Sequence, residues 1–253
     1  MGDTLIVVAT STNYLANWVW DINYETLAAE HRRQVNVKAV GVDKVTRAEY
    51  GENLNDLLRR MKSFSYRPQL VRRAYIPKAN GEKSPLGITS YEDKLVQGGM
   101  ARILNEVYEP RFIDCSYGFR SNKSAHDVIK QVDNLIMFKK VNYILDCDIK
   151  GFFDTVEHKW LMKFLEHDIV DKIFLRYIVR FLKAGVMESN HYENTRVGTP
   201  QGGIISPVLA KVYLHYVLDL WFEKYMKRQL KGESYLVRYA DDFIIMTEYE
   251  NEA

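Results

Sequence analysis

The chain has 253 residues, 47% of them hydrophobic and 27% charged, an ordinary globular balance with length enough for a large core in one domain or in two joined lobes. Its 35 Lys and Arg against 33 Asp and Glu leave a net charge of +2, which excludes no class of partner; the distribution of charge says more than the total. Cys115, Cys147 and the six scattered histidines fit no metal-ligand spacing, so reduced thiols in an intracellular, cytoplasmic chain are the simplest account. The apolar stretch Leu5-Ile6-Val7-Val8-Ala9 is too short to span a membrane and lacks the basic flank of a signal peptide, and Ile6 breaks the myristoylation pattern after Met1-Gly2.

Residues 1 to about 36 carry weak signals, with a helix around Asn17 to Ala29. A second helix runs from Ala48 to about Phe64, with Leu54, Leu57, Leu58 and Met61 on one side. From Leu58 to Lys78 the chain holds Arg59, Arg60, Lys62, Arg67, Arg72, Arg73 and Lys78 with no acid among them, and Phe64, Tyr66 and Tyr75 are interleaved. Bases mixed with aromatics suit a nucleic-acid backbone and its stacked bases, although a solvated basic face accounts for the run equally well. Leu70 to Ile76 reads as a strand, Asn80-Gly81 as a hairpin turn, and Pro85 to Ile88 as the return strand. Ser90 with Asp93 opens a long helix with its apolar stripe at Leu95, Met100, Ile103, Leu104 and Val107.

Gly118 marks a loop before a helix from Ser124 to about Phe138. The strand Asn142 to Asp148 follows; alternation puts Tyr143, Leu145 and Cys147 on one face and Ile144, Asp146 and Asp148 on the other. Helices near 157–167 and 171–184 lead to a hairpin from about Val186 to Val197 and a loop at Pro200-Gln201-Gly202-Gly203. Ser206-Pro207 reads as an N-cap and a first-turn proline of a helix to about Met226, with Leu209, Val212, Tyr213, Tyr216 and Leu220 on its buried face. The expected class is α+β, an antiparallel sheet with helices packed on one side.

The chemistry concentrates at Tyr239-Ala240-Asp241-Asp242, between the apolar runs Leu236-Val237 and Phe243-Ile244-Ile245-Met246. This reads as a tight hairpin with two carboxylates at its tip. Adjacent anions ~4–5 Å apart repel by roughly 3–4 kcal/mol at an effective dielectric near ~20, a cost that a divalent cation offsets. Asp-Asp pairs are also common in ordinary turns, so a second element is needed. A two-metal centre draws carboxylates from separate elements, and Asp148, ending an apolar strand, is the candidate for the other side. Asp146 shares its face but sits mid-strand, and Asp154 has a structural alternative as cap, with Thr155, of the helix near Glu157. The Gln201-Gly202-Gly203 loop runs into a helix N-terminus, a setting that favours anions.

Tyr239-Ala240-Asp241-Asp242-Phe243, Asp148-Ile149-Lys150-Gly151-Phe152-Phe153-Asp154 and Gly198-Thr199-Pro200-Gln201-Gly202-Gly203-Ile204-Ile205-Ser206-Pro207 together resemble the sequence blocks of reverse transcriptases, and the group II intron-encoded kind most closely. Ile76-Pro77-Lys78, Pro85-Leu86-Gly87-Ile88, Asp93-Lys94-Leu95-Val96-Gln97 and Ser116-Tyr117-Gly118-Phe119-Arg120 extend the match in the family's order. The resemblance implies right-hand polymerase fingers and a partial palm over 41–253, after a poorly matched N-terminal segment at 1–40. It implies an RNA-directed DNA polymerase domain in which Asp148, Asp241 and Asp242, with the Ile149 carbonyl, hold two Mg²⁺ ions. Phe153 would exclude a ribose 2′-hydroxyl, Gln201, Lys78 and Lys83 would contact the nucleotide, and Arg59, Arg60, Arg67, Arg72, Arg73 and Arg120 the nucleic acid. The implied partners are group II intron RNA as template, a DNA primer and deoxynucleoside triphosphates, with a homodimer left open and no membrane. An RNA-binding maturase module with weak or lost polymerase activity is the alternative. Ser84 replaces the family's usual Arg before the Pro-Leu-Gly block, Lys44 stands where the family often has Gly, and the thumb and maturase region are expected to be absent, so the chain reads as a fragment.

Overall fold

A computed structural model describes residues 22–35, 39–51, 53–77, 81, 83–188, 191–193, 198 and 202–253. The first described helix, α1 (Tyr24–Arg33), is capped by Asn23, its side-chain oxygen accepting from the Thr26 N–H at 2.9 Å; residues 17–21 of the expected helix lie outside the described residues. The predicted helix from Ala48 to Phe64 is two helices, α2 (Arg47–Tyr50) and α3 (Leu54–Lys62). Gly51 between them adopts φ +60°, a conformation no helix contains, while a Thr46–Glu49 capping box closes α2 on itself.

Strands β1 (Val71–Pro77) and β2 (Lys83–Ile88) form the expected hairpin. Ser90 then caps α4 (Tyr91–Tyr108), accepting from the Asp93 N–H. Asp93 itself is buried. It accepts from the Tyr66 hydroxyl and, at 3.0 Å, from the Gln69 N–H, and burial pushes its carboxyl up to about 6. That one side chain ties the segment entering β1 to the long central helix. A Ser124–Asp127 capping box opens α5 (Ala125–Phe138).

After β3 (Tyr143–Asp148) come a single turn, α6 (Phe152–Thr155), then α7 (His158–Asp168) and α8 (Lys172–Leu182). Asp154 and Thr155 do not cap α7: both lie inside α6, and the N-cap of α7 is Glu157. Strands β4 (Val186–Glu188) and β5 (His191–Glu193) join β1, giving the order β2-β1-β4-β5. This sheet is mixed where a purely antiparallel one was expected, because β4 reaches β1 after a helical crossover and runs parallel to it.

The helix expected from Ser206 to Met226 begins as α9 (Ser206–Leu214), capped by Ile205 with Ser206 and Pro207 already helical. A π-turn at His215–Asp219 separates it from α10 (Leu220–Lys224). Leu209 and Val212 are buried as expected and Tyr213 and Tyr216 pack half-buried against the core, but the wider π-turn rotates the stripe so that beyond them His215, Leu218, Asp219 and Phe222 are buried and Leu220 is not. Strands β6 (Ser234–Tyr239) and β7 (Asp242–Thr247) pair with β3 in the all-antiparallel order β3-β7-β6. One core runs from Ile22 and Leu27 through α4, α7 and α8 to Leu209 and Leu236, and a smaller cluster of Tyr117, Leu135, Val237 and Met246 sits between α5 and the second sheet. The α+β class is as expected. No helix among the described residues is long and apolar enough to cross a membrane.

A carboxylate turn as candidate active site

Antiparallel pairing sets the site. In the register of β3 against β7, Cys147 faces Phe243 and Asp148 faces Asp242; in that of β6 against β7, Tyr239 faces Asp242. Only Ala240 and Asp241 therefore form the connection, a two-residue hairpin. Ala240 takes φ +59°, a conformation an L-residue adopts at a cost of roughly 1–2 kcal/mol. The segment before α5 supports this turn from the side. The Arg238 N–H donates to the Cys115 carbonyl at 2.8 Å, the Tyr117 N–H to the Arg238 carbonyl at 2.9 Å, and a Cβ on Gly118 would come within 2.2 Å of the Ala240 nitrogen. Glycine at 118 is a requirement of close approach.

Asp148 and Asp242, far apart in sequence, are thus direct cross-strand neighbours, and Asp241 adjoins them on the turn. The strand that Asp148 ends is not a buried one: β3 is open to solvent on the face that carries Ile144, Asp146 and Asp148, so Asp148 is an exposed acid at the end of an edge strand. Asp242 is exposed and Asp241 half-buried. Partial burial, together with the charges of Asp241, Asp148 and Asp146, holds the Asp242 carboxyl above the usual carboxylate range. Among the described residues none of these four acids forms an ion pair. Neither do the described residues bring three or more His, Cys, Asp or Glu groups together in a cluster that could by itself hold a metal ion. An open, uncompensated carboxylate set suits Mg²⁺, which keeps several waters and is bound by one or two carboxylates plus substrate phosphates more often than by an all-protein cage. The Ile149 carbonyl lies next in the chain and accepts from the Phe152 N–H at 3.2 Å, which uses one of its two lone pairs.

Phe153 is half-buried on α6 and lines a small void beneath the turn together with Phe119, Phe152, Lys211, Arg238 and Asp241. Gly198, at φ +88°, packs on α6; a Cβ there would meet the Phe153 and Asp154 carbonyls at 2.9 Å. The Gly198 carbonyl also contacts His158 Nε2 at 2.6 Å. Gly202, at φ +98°, would place a Cβ 2.4 Å from the Gly87 carbonyl, so the glycine loop rests on the β1–β2 hairpin. Lys83 is exposed at the turn end of that hairpin, opposite Pro77. Lys78 and Gln201 lie outside the described residues.

The basic residues divide. Arg59 and Arg67 are exposed, although Arg59 also pairs with Asp56 at 2.5 Å. Arg60 is half-buried between Asp56 and Glu92, Arg72 is half-buried and donates twice to the Val40 carbonyl, and Arg73 is half-buried. Arg120 does not fit its expected contact with nucleic acid. Its side chain is 7% exposed, and it donates to the Glu109 carboxylate and to the carbonyls of Ile113 and Ser116, so it holds the loop before α5.

Two groups near the turn escaped sequence reasoning. Arg238 is fully buried, with Nε and Nη2 donating to the two oxygens of the equally buried Asp219 at 2.7 and 2.6 Å. Lys211 is 1% exposed, donates to Asn105 Oδ1 at 2.9 Å and the Phe119 carbonyl at 2.7 Å, and burial lowers its ammonium to about 8. The available signal was a charge on the apolar face of its element: Arg238 alternates with Leu236, and Asp219 lies between Leu218 and Leu220.

The model of the reverse transcriptase (RNA-dependent DNA polymerase) family matches residues 76–253. The group II intron-encoded protein LtrA of Lactococcus lactis subsp. cremoris is 42% identical over 174 residues, covering 67% of this chain and 29% of that protein. Protein YkfC of Escherichia coli (strain K12) is 31% identical over 238 residues, covering 81% of this chain and 62% of that protein. Of solved structures, telomerase from Candida albicans superposes with a TM-score of 0.55 at 15% identity over 82% of this chain and 43% of that one. A Cas6-RT-Cas1–Cas2 complex gives 0.51 at 16% identity over 90% and 23%. These last two bear on the fold alone. The chain spans under a third of the length of LtrA.

Proposed function

This chain belongs to the reverse transcriptase (RNA-dependent DNA polymerase) family, and on that premise we propose that it is the fingers and partial palm, over 41–253, of an RNA-directed DNA polymerase encoded by a group II intron. The observation that carries the proposal is the cross-strand placement of Asp148 against Asp242, with Asp241 on the connecting turn. In this reading the three carboxylates and the Ile149 carbonyl hold two Mg²⁺ ions. When bound, these supply Lewis-acid neutralisation of the attacking and leaving oxygens of an in-line phosphoryl displacement. The chain's own residues position the reactants: the primer 3′-hydroxyl lies over the Asp148–Asp242 pair, and the nucleotide sugar meets the Phe153 ring, which leaves no room for a 2′-hydroxyl. Lys83, with Lys78 and Gln201, faces the triphosphate. The exposed Arg59 and Arg67 track nucleic-acid phosphates. The template is intron RNA, and the setting is intracellular, in keeping with the free thiols of Cys115 and Cys147.

The test is primer extension on an RNA template, with Mg²⁺ and deoxynucleotides, by the complete protein that carries these fingers and partial palm, since residues 41–253 alone are expected to support little processive synthesis. Extension is expected, along with its loss in Asp241→Asn while folding and RNA binding persist. An undiminished rate in that variant refutes the catalytic assignment.

A further inference from the structure

Arg238 has a feature that the polymerase reading leaves unused. Two of its donors grip Asp219, Nη2 also donates to Ser116 Oγ at 2.7 Å, and Nη1 donates to the Ala240 carbonyl at 2.7 Å. Ala240 is the residue held at positive φ, next to Asp241. A guanidinium is a rigid planar fork with five N–H donors, so once Asp219 and Ser116 orient Nε and Nη2 the two N–H directions of Nη1 are fixed as well, and one meets the Ala240 carbonyl. Asp219 is itself presented by the π-turn: it is the last residue of His215–Asp219, fully buried and facing β6. His215 stands 3.9 Å from the same carboxylate, buried, with burial lowering its pKa, so it adds no charge to the pair. The charged groups meeting here are then one cation and one anion, with Lys211 nearby across the same void.

We propose that Arg238 is a positioning residue: with Asp219 and Ser116 it clamps the Ala240 carbonyl from beneath, and so fixes the turn whose carboxylates bind the divalent cations. The inference rests on reading that turn as the polymerase centre. Its chemistry is not that of a general core ion pair, because only one of the four contacts reaches the turn, and that contact bears on the strained residue beside Asp241. Misplacing reacting groups by about 1 Å can cost on the order of a hundredfold in rate, and altered support behind a metal ligand typically costs tenfold or more in affinity or activity.

The experiment compares wild type, Arg238→Lys and Ser116→Ala in the full chain. It measures thermal melting, Mn²⁺ affinity by electron paramagnetic resonance, and steady-state dTTP incorporation on a poly(rA)–oligo(dT) template-primer. Arg238→Lys keeps the charge but loses the fork, and Ser116→Ala removes one orienting contact of the guanidinium while leaving the ion pair. Both are expected to weaken Mn²⁺ binding and lower kcat by about tenfold, with the KM for dTTP changed less than about twofold. A merely structural role predicts lower melting temperatures with Mn²⁺ affinity and kcat per folded molecule unchanged, and that result overturns the clamp. If Arg238→Lys fails to fold, Ser116→Ala decides by the same two readouts. If this chain incorporates no dTTP, kcat is read in the complete protein, where its absence refutes the polymerase reading, and the clamp is still judged by whether Mn²⁺ affinity drops in the variants.

Discussion

Removing one carboxylate from the turn is expected to stabilise the metal-free protein even as it removes activity. Asp242 stands opposite Asp148, with Asp241 adjacent and Asp146 two residues along β3. Directly opposed side chains lie about 5 Å apart, and because Asp242 and Asp148 are exposed their repulsion is screened almost as in water, to ~0.8 kcal/mol. The other two acids add less each, so Asp242→Asn relieves roughly 1 kcal/mol and raises Tm by about 2–4 °C in a chain of this size. The pH dependence has a definite sign. The Asp242 carboxyl is raised above its ordinary value, so the folded chain holds that proton to higher pH than the unfolded chain does. The penalty is absent below the unfolded value of ~3.9 and grows as pH rises through the folded value. Thermal or urea melts in EDTA at acid, intermediate and neutral pH read this directly. The advantage of Asp242→Asn should be full near neutrality and vanish in acid. A variant less stable than wild type at neutral pH, or a difference that does not change with pH, refutes the electrostatic reasoning.

Lys211 titrates with the opposite sign: its ammonium, held to about 8, is bound more tightly by the unfolded chain, so stability rises as pH climbs from there toward the ordinary lysine value of ~10.4. Urea melts across that range should show the rise in wild type and its absence in Lys211→Met; an unchanged profile contradicts a charged, desolvated lysine. Phe153→Ala should admit ribonucleotides in single-nucleotide incorporation, and unchanged sugar selectivity removes the ring from its proposed role. RNA affinity should fall steeply with salt, and Arg59→Ala and Arg67→Ala should each flatten the log–log slope by about one, measured by fluorescence anisotropy. A slope unaltered by both places the phosphate path elsewhere.

Local pattern made much of this architecture readable. Ser90 and the apolar runs around Asp241 announced a cap and a hairpin that the structure contains, because each is a short-range signal. Asp148 stood out as an acid ending an apolar strand and the motif blocks set it with Asp241 and Asp242, but nothing in either strand alone states that Asp242 is its cross-strand neighbour. Long-range packing hid the rest. No periodicity foretells that a π-turn will swing Asp219 inward, or that Gly118 is needed because Ala240 lies against it. The resemblance implied a nucleic-acid contact for Arg120, but the carbonyls of Ile113 and Ser116 and the acid Glu109 enclose it. The Ala48–Phe64 stretch carried a helical stripe, but one glycine at positive φ was enough to divide it.

Binding of Mn²⁺ to the full chain, followed by electron paramagnetic resonance, tests the shared carboxylate site most directly. Asp148→Asn, Asp241→Asn and Asp242→Asn should each weaken binding by about tenfold or more, while Asp154→Asn, on the neighbouring helical turn, should bind as wild type does. Equal affinity in wild type and all three turn variants would show that these carboxylates do not hold a divalent cation in common.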